Sequence, residues 1–388
     1  MRFLDFINRQ ALNEGGNATA FNKKTGIEKE AEKIDFKKLP IKQFREDFLK
    51  LFKEINKVFK QKYKESLWED ENDLKSGLLF NGSTSYIMNP NMDAEEILKY
   101  KSSAGDLDVI IPEHQLKNLW FVLDDLEDKK IAGFYYDGCN KQNPNAIGNQ
   151  INAVFTHLET GVACQVDFEA LPYEGNKPSE FAKFGHSSSF EDAKKSIKAA
   201  FHKLLLRALV GAISENPNIV VATKASTPDK IRLKKVDGNP RMSAFSVDHG
   251  LRDVLEPMID KDGKEVYYEG KQVYKEIEVS NSNYIKKIDD MFEQIFKTKI
   301  SSKDVESFIG LVNIMKKHCS KEVLIKTQER FFSIIFGMGA QVIESRDKEL
   351  DKSVKLTAYQ YFLEKLKLKH PNLDKEIERY YLVKWKEK

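Results

Sequence analysis

Residues 78–111 read LLFNGSTSYIMNPNMDAEEILKYKSSAGDLDVII, and this stretch decides the fold. Its apolar start runs into Gly82 and Ser83, which are followed by Thr84 and Ser85. Serine and threonine favour the position that begins a helix, and a helix start offers free backbone N–H groups to an anion such as phosphate. The pattern therefore predicts a short strand, a tight turn and a helix start suited to an anion.

The end of the same stretch predicts a strand whose side chains alternate between two faces. Asp106 and Asp108 then lie on one face, while Leu107 and Val109 lie on the other. Two neighbouring carboxylates repel each other unless a positive charge lies between them. A divalent cation with oxygen ligands supplies such a charge, so the two acids are candidate metal ligands.

A third carboxylate, Asp167, lies in the β-rich run GVACQVDFE at residues 161–169. If this strand lies beside the strand of Asp106 and Asp108, the three carboxylates converge. Such a set suits two magnesium ions, which clamp the attacking and leaving oxygens of a phosphoryl-type displacement. We therefore predict a two-metal site at these three acids.

Each part of the pattern also has a plain structural explanation. A Gly-Ser pair is common in turns, and an Asp-x-Asp pair is usually the solvated face of an edge strand. Asp167 alone is compatible with a paired surface acid. The combination favours the metal site, because strand, turn, helix and two further strands follow one another in the required order.

In that order these residues resemble the nucleotidyltransferase superfamily, which includes DNA polymerase beta, poly(A) polymerases, CCA-adding enzymes and aminoglycoside nucleotidyltransferases. The matching parts are Phe80-Asn81-Gly82-Ser83, Asp106-Leu107-Asp108 and Asp167. The resemblance covers the chain from the mid-seventies to the early two-hundreds. It departs from the family in a long spacer before Asp106, where residues 89–104 resemble an insertion.

The resemblance implies an α+β fold, with a mixed, mostly antiparallel sheet flanked by helices and followed by a helical C-terminal domain. It also implies transfer of a nucleoside monophosphate from a triphosphate such as ATP to an acceptor hydroxyl, with release of pyrophosphate. Asp106 and Asp108 would bind both Mg²⁺ ions, for which Mn²⁺ is an alternative. Asp167 would bind the ion that activates the acceptor and would accept its proton. The acceptor stays open between an RNA or DNA end, a small molecule and a protein.

The same resemblance implies a set of nucleotide-binding residues. Gly82 lets the backbone approach the phosphates, and Ser83 and Thr84 hydrogen-bond them. A helix after the catalytic sheet often supplies a basic side chain to the triphosphate, and Lys198 and Lys203 are the candidates in this chain. An ordinary solvated helix face explains either lysine equally well.

Apolar spacing of the helical kind predicts helices over residues 41–66, 113–127 and 190–213. Strands are predicted over residues 131–136 and 151–158, on either side of a run rich in turn-forming residues. These elements surround the acids along the chain and belong to the predicted catalytic domain.

Four parts follow from these patterns along the chain. They are an N-terminal appendage (1–39), the nucleotidyltransferase domain (40–215), a β-rich extension (216–280) and a helical C-terminal domain (281–388). The extension contains predicted strands at 219–224 and 231–236 and a predicted hairpin that turns at Glu269 and Gly270.

Composition is that of an ordinary globular protein, with 41% apolar and 32% charged residues and a net charge of +3. A charge this close to neutral disfavours a long nucleic-acid footprint, because each phosphate contact usually needs a Lys or Arg. No run approaches the ~18 apolar residues of a membrane helix, and the N-terminus lacks a signal-peptide pattern. The three cysteines are widely separated without metal-ligand spacing, which favours a reducing cytoplasm, that of the host if the chain is phage-encoded.

Two other functions stay open at this point. The chain is a non-catalytic nucleotide-binding or virion-associated protein that keeps the fold, or an enzyme of another class that uses the acids for hydrolysis. The lysine- and asparagine-rich composition, with a short N-terminal segment ending in Gly15-Gly16, is similar to proteins of large tailed phages. The ordered Gly-Ser, Asp-x-Asp and Asp set favours the transferase.

Overall fold

The structure, a computed structural model of the chain, describes residues 19–336 with short gaps, together with Lys365. The gaps are residues 23, 141, 142, 147, 187, 196, 198, 237, 247, 248, 279–283 and 286. The first 18 residues of the predicted appendage and nearly all of the predicted helical domain beyond residue 336 therefore lie outside the described residues. Within the described part, no helix is both long and apolar enough to cross a membrane.

The chain forms two compact units, residues 1–199 and residues 200–388. The first unit holds the three candidate metal ligands and a large mixed sheet. In the second unit the described strands all fall between residues 219 and 276, and further helices follow from residue 288. The predicted division into four parts is finer than this one and stays a prediction.

The first unit contains both strands and helices, several of which follow one another in groups. Its described strands are β1 (Thr19–Phe21), β2 (Glu28–Glu30), β3 (Ile34–Asp35), β4 (Ser103–Ala104), β5 (Asp106–Pro112), β6 (Lys130–Ile131), β7 (Phe134–Cys139), β8 (Gln150–His157), β9 (Ala163–Leu171), β10 (Tyr173–Glu174) and β11 (Lys177–Pro178). Its described α-helices are α1 (Ile41–Tyr63), α2 (Glu71–Lys75), α3 (Thr84–Ile87), α4 (Ala94–Leu98), α5 (Leu116–Asp125), α6 (Glu180–His186) and α7 (Phe190–Ala193).

The main sheet has the strand order β2-β1-β7-β8-β9-β5, with β6 paired to β7. All of its pairs are antiparallel except β5 and β9, which run parallel at one edge. This arrangement confirms the predicted α+β class with a mixed, mostly antiparallel sheet. The parallel pair also sets the two acid-bearing strands side by side.

Helix α1 packs on one face of this sheet through a stripe of phenylalanines. The Phe52 ring lies 5.7 Å from the Phe80 ring and 6.4 Å from the Phe168 ring, measured between centroids. Leu107 and Val109 are fully buried in the same cluster. Since side chains alternate along a strand, burial of these residues directs Asp106, Asp108 and Asp167 to the opposite face. 

Three predicted elements differ in the structure. Residues 78–80 form no regular strand, because Phe80 makes a single bridge to Val109 before the chain turns at Gly82. The predicted helix at 190–213 is two helices, α7 and α8 (Ala199–Ile213), because α7 ends in a turn where the Ile197 N–H donates to the Asp192 carbonyl.

The predicted strand at 231–236 is also absent as a regular strand. Leu233 forms one bridge to Ala222, and its side chain is 42% exposed. An apolar residue in a strand contributes most when its face is buried, and residues 232–236 have no buried face. The apolar pattern in this segment was therefore a poor indicator of strand structure.

The second unit combines small sheets with helices. Its described strands are β12 (Ile219–Val221), β13 (Ser243–Ser246), β14 (Gly250–Asp253), β15 (Leu255–Pro257), β16 (Tyr267–Tyr268) and β17 (Lys271–Glu276). After α8, its described helices are α9 (Ile288–Phe296), α10 (Ser302–Val305), α11 (Phe308–His318) and α12 (Lys321–Phe336). The predicted hairpin is confirmed: β16 pairs with β17, and Glu269 and Gly270 both have positive φ, as a two-residue hairpin turn requires.

Candidate active site

Three carboxylates converge on the face of the main sheet that points away from α1. The parallel register sets Asp108 beside Asp167 and Asp106 beside Gln165. One carboxylate oxygen from each of Asp106, Asp108 and Asp167 lies within 4.8 Å of the other two. Asp167 is buried, whereas Asp106 and Asp108 are partly exposed. The site is therefore open on the side of the Asp-x-Asp pair and closed behind Asp167.

Asp167 is surrounded by groups that do not neutralise its charge. Asn152 and Gln165 donate hydrogen bonds to its Oδ1 atom at 2.6 and 2.9 Å. Among the described residues, Asp167 has no lysine, arginine or histidine partner. Burial first, and then the nearby charge of Asp106, raise the pKa of the Asp167 carboxyl to about 7, against the two hydrogen bonds.

The donor set fits a hard divalent cation. Three carboxylates supply only oxygen ligands, which suit Mg²⁺ and Mn²⁺ better than metals that prefer nitrogen or sulfur. Both amide hydrogen bonds fall on Oδ1 of Asp167, which leaves its Oδ2 atom to face an additional ligand. A cation between the acids would also remove the repulsion that raises the pKa of Asp167.

In chelating buffer we expect the free energy of unfolding to fall as pH rises from about 4 to about 7. The unfolded-state pKa of an aspartate is about 3.9, whereas Asp167 in the folded chain titrates near 7. Between these two pKa values the unfolded chain has lost this proton while the folded chain keeps it, so each rise in pH favours the unfolded chain until the folded carboxyl ionises as well. The slope reaches about 1.4 kcal/mol per pH unit. Urea denaturation over a pH series measures it.

Asp167→Asn is the matched control for this pH dependence, because it keeps the side-chain shape and cannot ionise. We expect it to remove this part of the slope. A divalent cation held by these acids would act in the opposite direction, stabilising the chain more at pH 8 than at pH 5, because it would bind the ionised carboxylate. An identical slope in the wild type and in Asp167→Asn would contradict the environment described for Asp167.

The turn at Gly82 holds Asp108 in place. Gly82 has φ +49°, and a Cβ atom built on it would lie 2.1 Å from Asp108 Oδ2. The backbone N–H of Asp108 donates to Thr84 Oγ1 at 3.1 Å, and the N–H of Asn81 donates to the Asp108 carbonyl at 3.1 Å. The turn is thus built around the Asp108 backbone and carboxylate.

Three of the predicted nucleotide-binding residues, Gly82, Ser83 and Thr84, lie in this turn. The side chain of Thr84 is buried and its hydroxyl positions Asp108, while Ser83 is partly exposed and makes no capping hydrogen bond. Gly82 is required by the close approach of Asp108. Direct contact of Gly82, Ser83 or Thr84 with a nucleotide stays a prediction.

The predicted basic residues belong to the region after the sheet. Lys203 lies on α8 in the second unit, with a partly exposed side chain. Lys198 lies outside the described residues. Their contribution to triphosphate binding stays a prediction.

A polar wall that the sequence did not reveal lies beside the acids. Asn81 Nδ2 donates to Glu169 Oε2 at 2.6 Å, and His186 Nδ1 lies 4.0 Å from the same oxygen. The ammonium of Lys183 donates to the Phe80 carbonyl, and burial lowers the pKa of that ammonium to about 8. Glu169 follows Asp167 at period two, and the segment that carries His186 comes soon after Asp167 in the chain; these were the available signals. Lys183 and His186 come from α6, and their place became visible only in the fold.

Comparison with known proteins gives no match to this chain. No protein-family model matches it, and no curated protein or solved structure shows significant similarity.

Proposed function

We propose that this chain is a magnesium-dependent nucleotidyltransferase. It transfers a nucleoside monophosphate from a nucleoside triphosphate to an acceptor hydroxyl and releases pyrophosphate. The observation that carries the proposal is the convergence of Asp106, Asp108 and Asp167 within 4.8 Å, on a sheet face otherwise separated from the hydrophobic core. The close approach of Gly82 to Asp108 also supports it, because it brings the Gly-Ser turn, another part of the superfamily pattern, next to the acids.

In this proposal Asp106 and Asp108 hold both cations, and Asp167 holds one of them. The chemistry that two divalent cations supply in such a site is charge neutralisation and alignment of the attacking and leaving oxygens. Asp167 accepts the proton of the acceptor hydroxyl at Oδ2, because Oδ1 already accepts two amide hydrogen bonds. Asn152 and Gln165 keep that carboxylate in one orientation.

The protein also limits water at one side of the site. Asp167 is only 5% exposed, whereas Asp106 and Asp108 are partly exposed. Water therefore has access to the site mainly on the side of Asp106 and Asp108. Electrostatic interactions strengthen where water is excluded. The open side is then the entry for the triphosphate and the acceptor.

The direct test is a screen of the four nucleoside triphosphates with Mg²⁺, read by pyrophosphate release and by label transfer. RNA, DNA and no added acceptor form the three arms. We expect Mg²⁺-dependent release with at least one triphosphate, and the arm that accepts label identifies the acceptor class. Binding of a triphosphate without any release in all arms would favour the non-catalytic alternative.

A further inference from the structure

The second unit contains a cavity that is separate from the acid site in sequence and in composition. It has a volume of about 480 Å³ and lies among helices α8 and α12 and the residues around β13. Three arginines are among its lining residues, Arg207, Arg241 and Arg330. No aspartate or glutamate is among its lining residues.

The three arginines differ in their partners. Arg330 forms an ion pair with Glu215, whose other carboxylate oxygen lies 3.8 Å from Lys326 Nζ. In the described part of the chain, Arg207 and Arg241 have exposed side chains and no ion-pair or hydrogen-bond partner. Among the described residues, Arg207 and Arg241 thus carry positive charges without an ion-pair partner, whereas Arg330 is paired with Glu215, which also lies opposite Arg241 in an isolated β-bridge.

A glycine makes room for the third guanidinium. Gly211 lies inside α8, where glycine is unfavourable because it has the largest conformational freedom to lose. A Cβ atom at this position would lie 3.3 Å from Arg330 Nη1. The missing side chain thus lets Arg330 lie against the helix at the cavity wall.

The remaining wall is apolar except for Ser243, whose hydroxyl donates a hydrogen bond to Asp253. Phe245, Val254 and Ile334 line it, together with small aliphatic residues of α8. A volume of about 480 Å³ exceeds what a lone inorganic anion needs and lies within the range of small-molecule sites. The lining therefore suits a ligand that has both an anionic group and an apolar or aromatic body.

We propose that this cavity binds a phosphate monoester carried on an aromatic body of about the size of a nucleotide. Arginine guanidinium groups present planar pairs of N–H donors that match phosphate oxygens, and two of the three arginines here form no ion pair with a carboxylate of the described residues. The phosphate comes from a free nucleotide or from the 5′ end of a nucleic acid, which offer the same chemistry. The proposal goes beyond the transferase function and does not depend on the metal site.

Calorimetric titration of the full chain in chelating buffer tests this proposal independently of metal-dependent chemistry. The probes are adenosine 5′-monophosphate, adenosine, and a short single-stranded oligonucleotide with or without a 5′-phosphate. We expect saturable binding of a 5′-phosphorylated probe, and binding at least about tenfold weaker when its phosphate is absent. The probe with the higher affinity identifies the source of the phosphate.

The double variant Arg207→Gln/Arg241→Gln should weaken phosphate-dependent binding by about tenfold or more while leaving the melting temperature unchanged. The matched control is Arg232→Gln/Lys235→Gln, which removes two exposed charges of the second unit outside the cavity. Equal weakening in both double variants would show that the effect comes from the loss of net positive charge, and it would overturn the proposal. Failure of both phosphorylated probes to bind, or binding unaffected by Arg207→Gln/Arg241→Gln, would overturn it as well.

Discussion

Asp106→Asn and Asp108→Asn should each lower the rate of pyrophosphate release by about 10³-fold or more, while the chain stays folded. Asparagine keeps the side-chain shape and removes the negative charge that holds a cation. A catalytic cation contributes several kcal/mol of transition-state stabilisation, and each 1.4 kcal/mol corresponds to about tenfold in rate. Initial rates with saturating triphosphate and Mg²⁺ measure the effect.

The same two variants make a prediction for stability without metal. Removing one of several neighbouring like charges relieves repulsion, so the melting temperature in chelating buffer should stay the same or rise. If each acid were instead one half of a buried ion pair, its loss would cost about 3–5 kcal/mol. The metal-site explanation therefore predicts an unchanged or higher melting temperature, whereas the ion-pair explanation predicts a lower one.

Asp137→Asn is the matched control for both measurements. Asp137 is a half-buried carboxylate on β7 of the same sheet, where Thr156 donates a hydrogen bond to it at 2.8 Å. It lies outside the cluster of three acids. We expect Asp137→Asn to keep pyrophosphate release. A loss of release in Asp137→Asn equal to that in Asp108→Asn would argue against a specific role of the cluster.

Gly82→Ala should abolish most activity at a small cost in stability. The added Cβ atom would overlap Asp108 Oδ2, which lies 2.1 Å from its position. The carboxylate is the terminal group of the Asp108 side chain, so rotation of that side chain would relieve the overlap and would move the carboxylate out of the cluster of acids. We expect a loss of activity of at least about 10²-fold, since displacement of a reacting group by about 1 Å has that effect.

Gly161→Ala separates this effect from backbone strain. Gly161 has φ +72°, and a Cβ atom built on it would meet no atom within 4 Å. Both substitutions place an alanine in the left-handed region, at a cost of about 1–2 kcal/mol. Chemical denaturation should give similar losses for the two variants, whereas only Gly82→Ala should lose activity. If Gly82→Ala kept wild-type rates, the turn would not be what positions Asp108 for catalysis.

The face on which each acid lies was predictable because it follows from strand periodicity. Asp106 and Asp108 are two residues apart in an apolar run, and Asp167 lies in another such run, so alternation alone assigns each a face. The pairing of β5 with β9 came from the superfamily resemblance, since these strands are separated by about fifty residues. The register that sets Asp108 beside Asp167 was then visible only in the structure.

The surroundings of the acids were not predictable in the same way. Lys183 reaches the carbonyl of Phe80 across 103 residues of sequence, and Asn152 reaches Asp167 from the adjacent strand. Such contacts depend on where α6 and β8 pack, which a local pattern does not encode. Periodicity also failed at residues 231–236, where Leu233 and Val236 remain exposed instead of forming a buried strand face.

The most direct test of the central claim is the position of Mn²⁺ in crystals grown with MnCl₂, located by anomalous scattering. If the three acids hold a divalent cation, we expect at least one strong anomalous peak within coordination distance of carboxylate oxygens from Asp106, Asp108 and Asp167. We also expect this peak to disappear in crystals of Asp108→Asn. The contradictory result is well-ordered carboxylates at these three residues, with no anomalous peak among them and a basic side chain or water in its place.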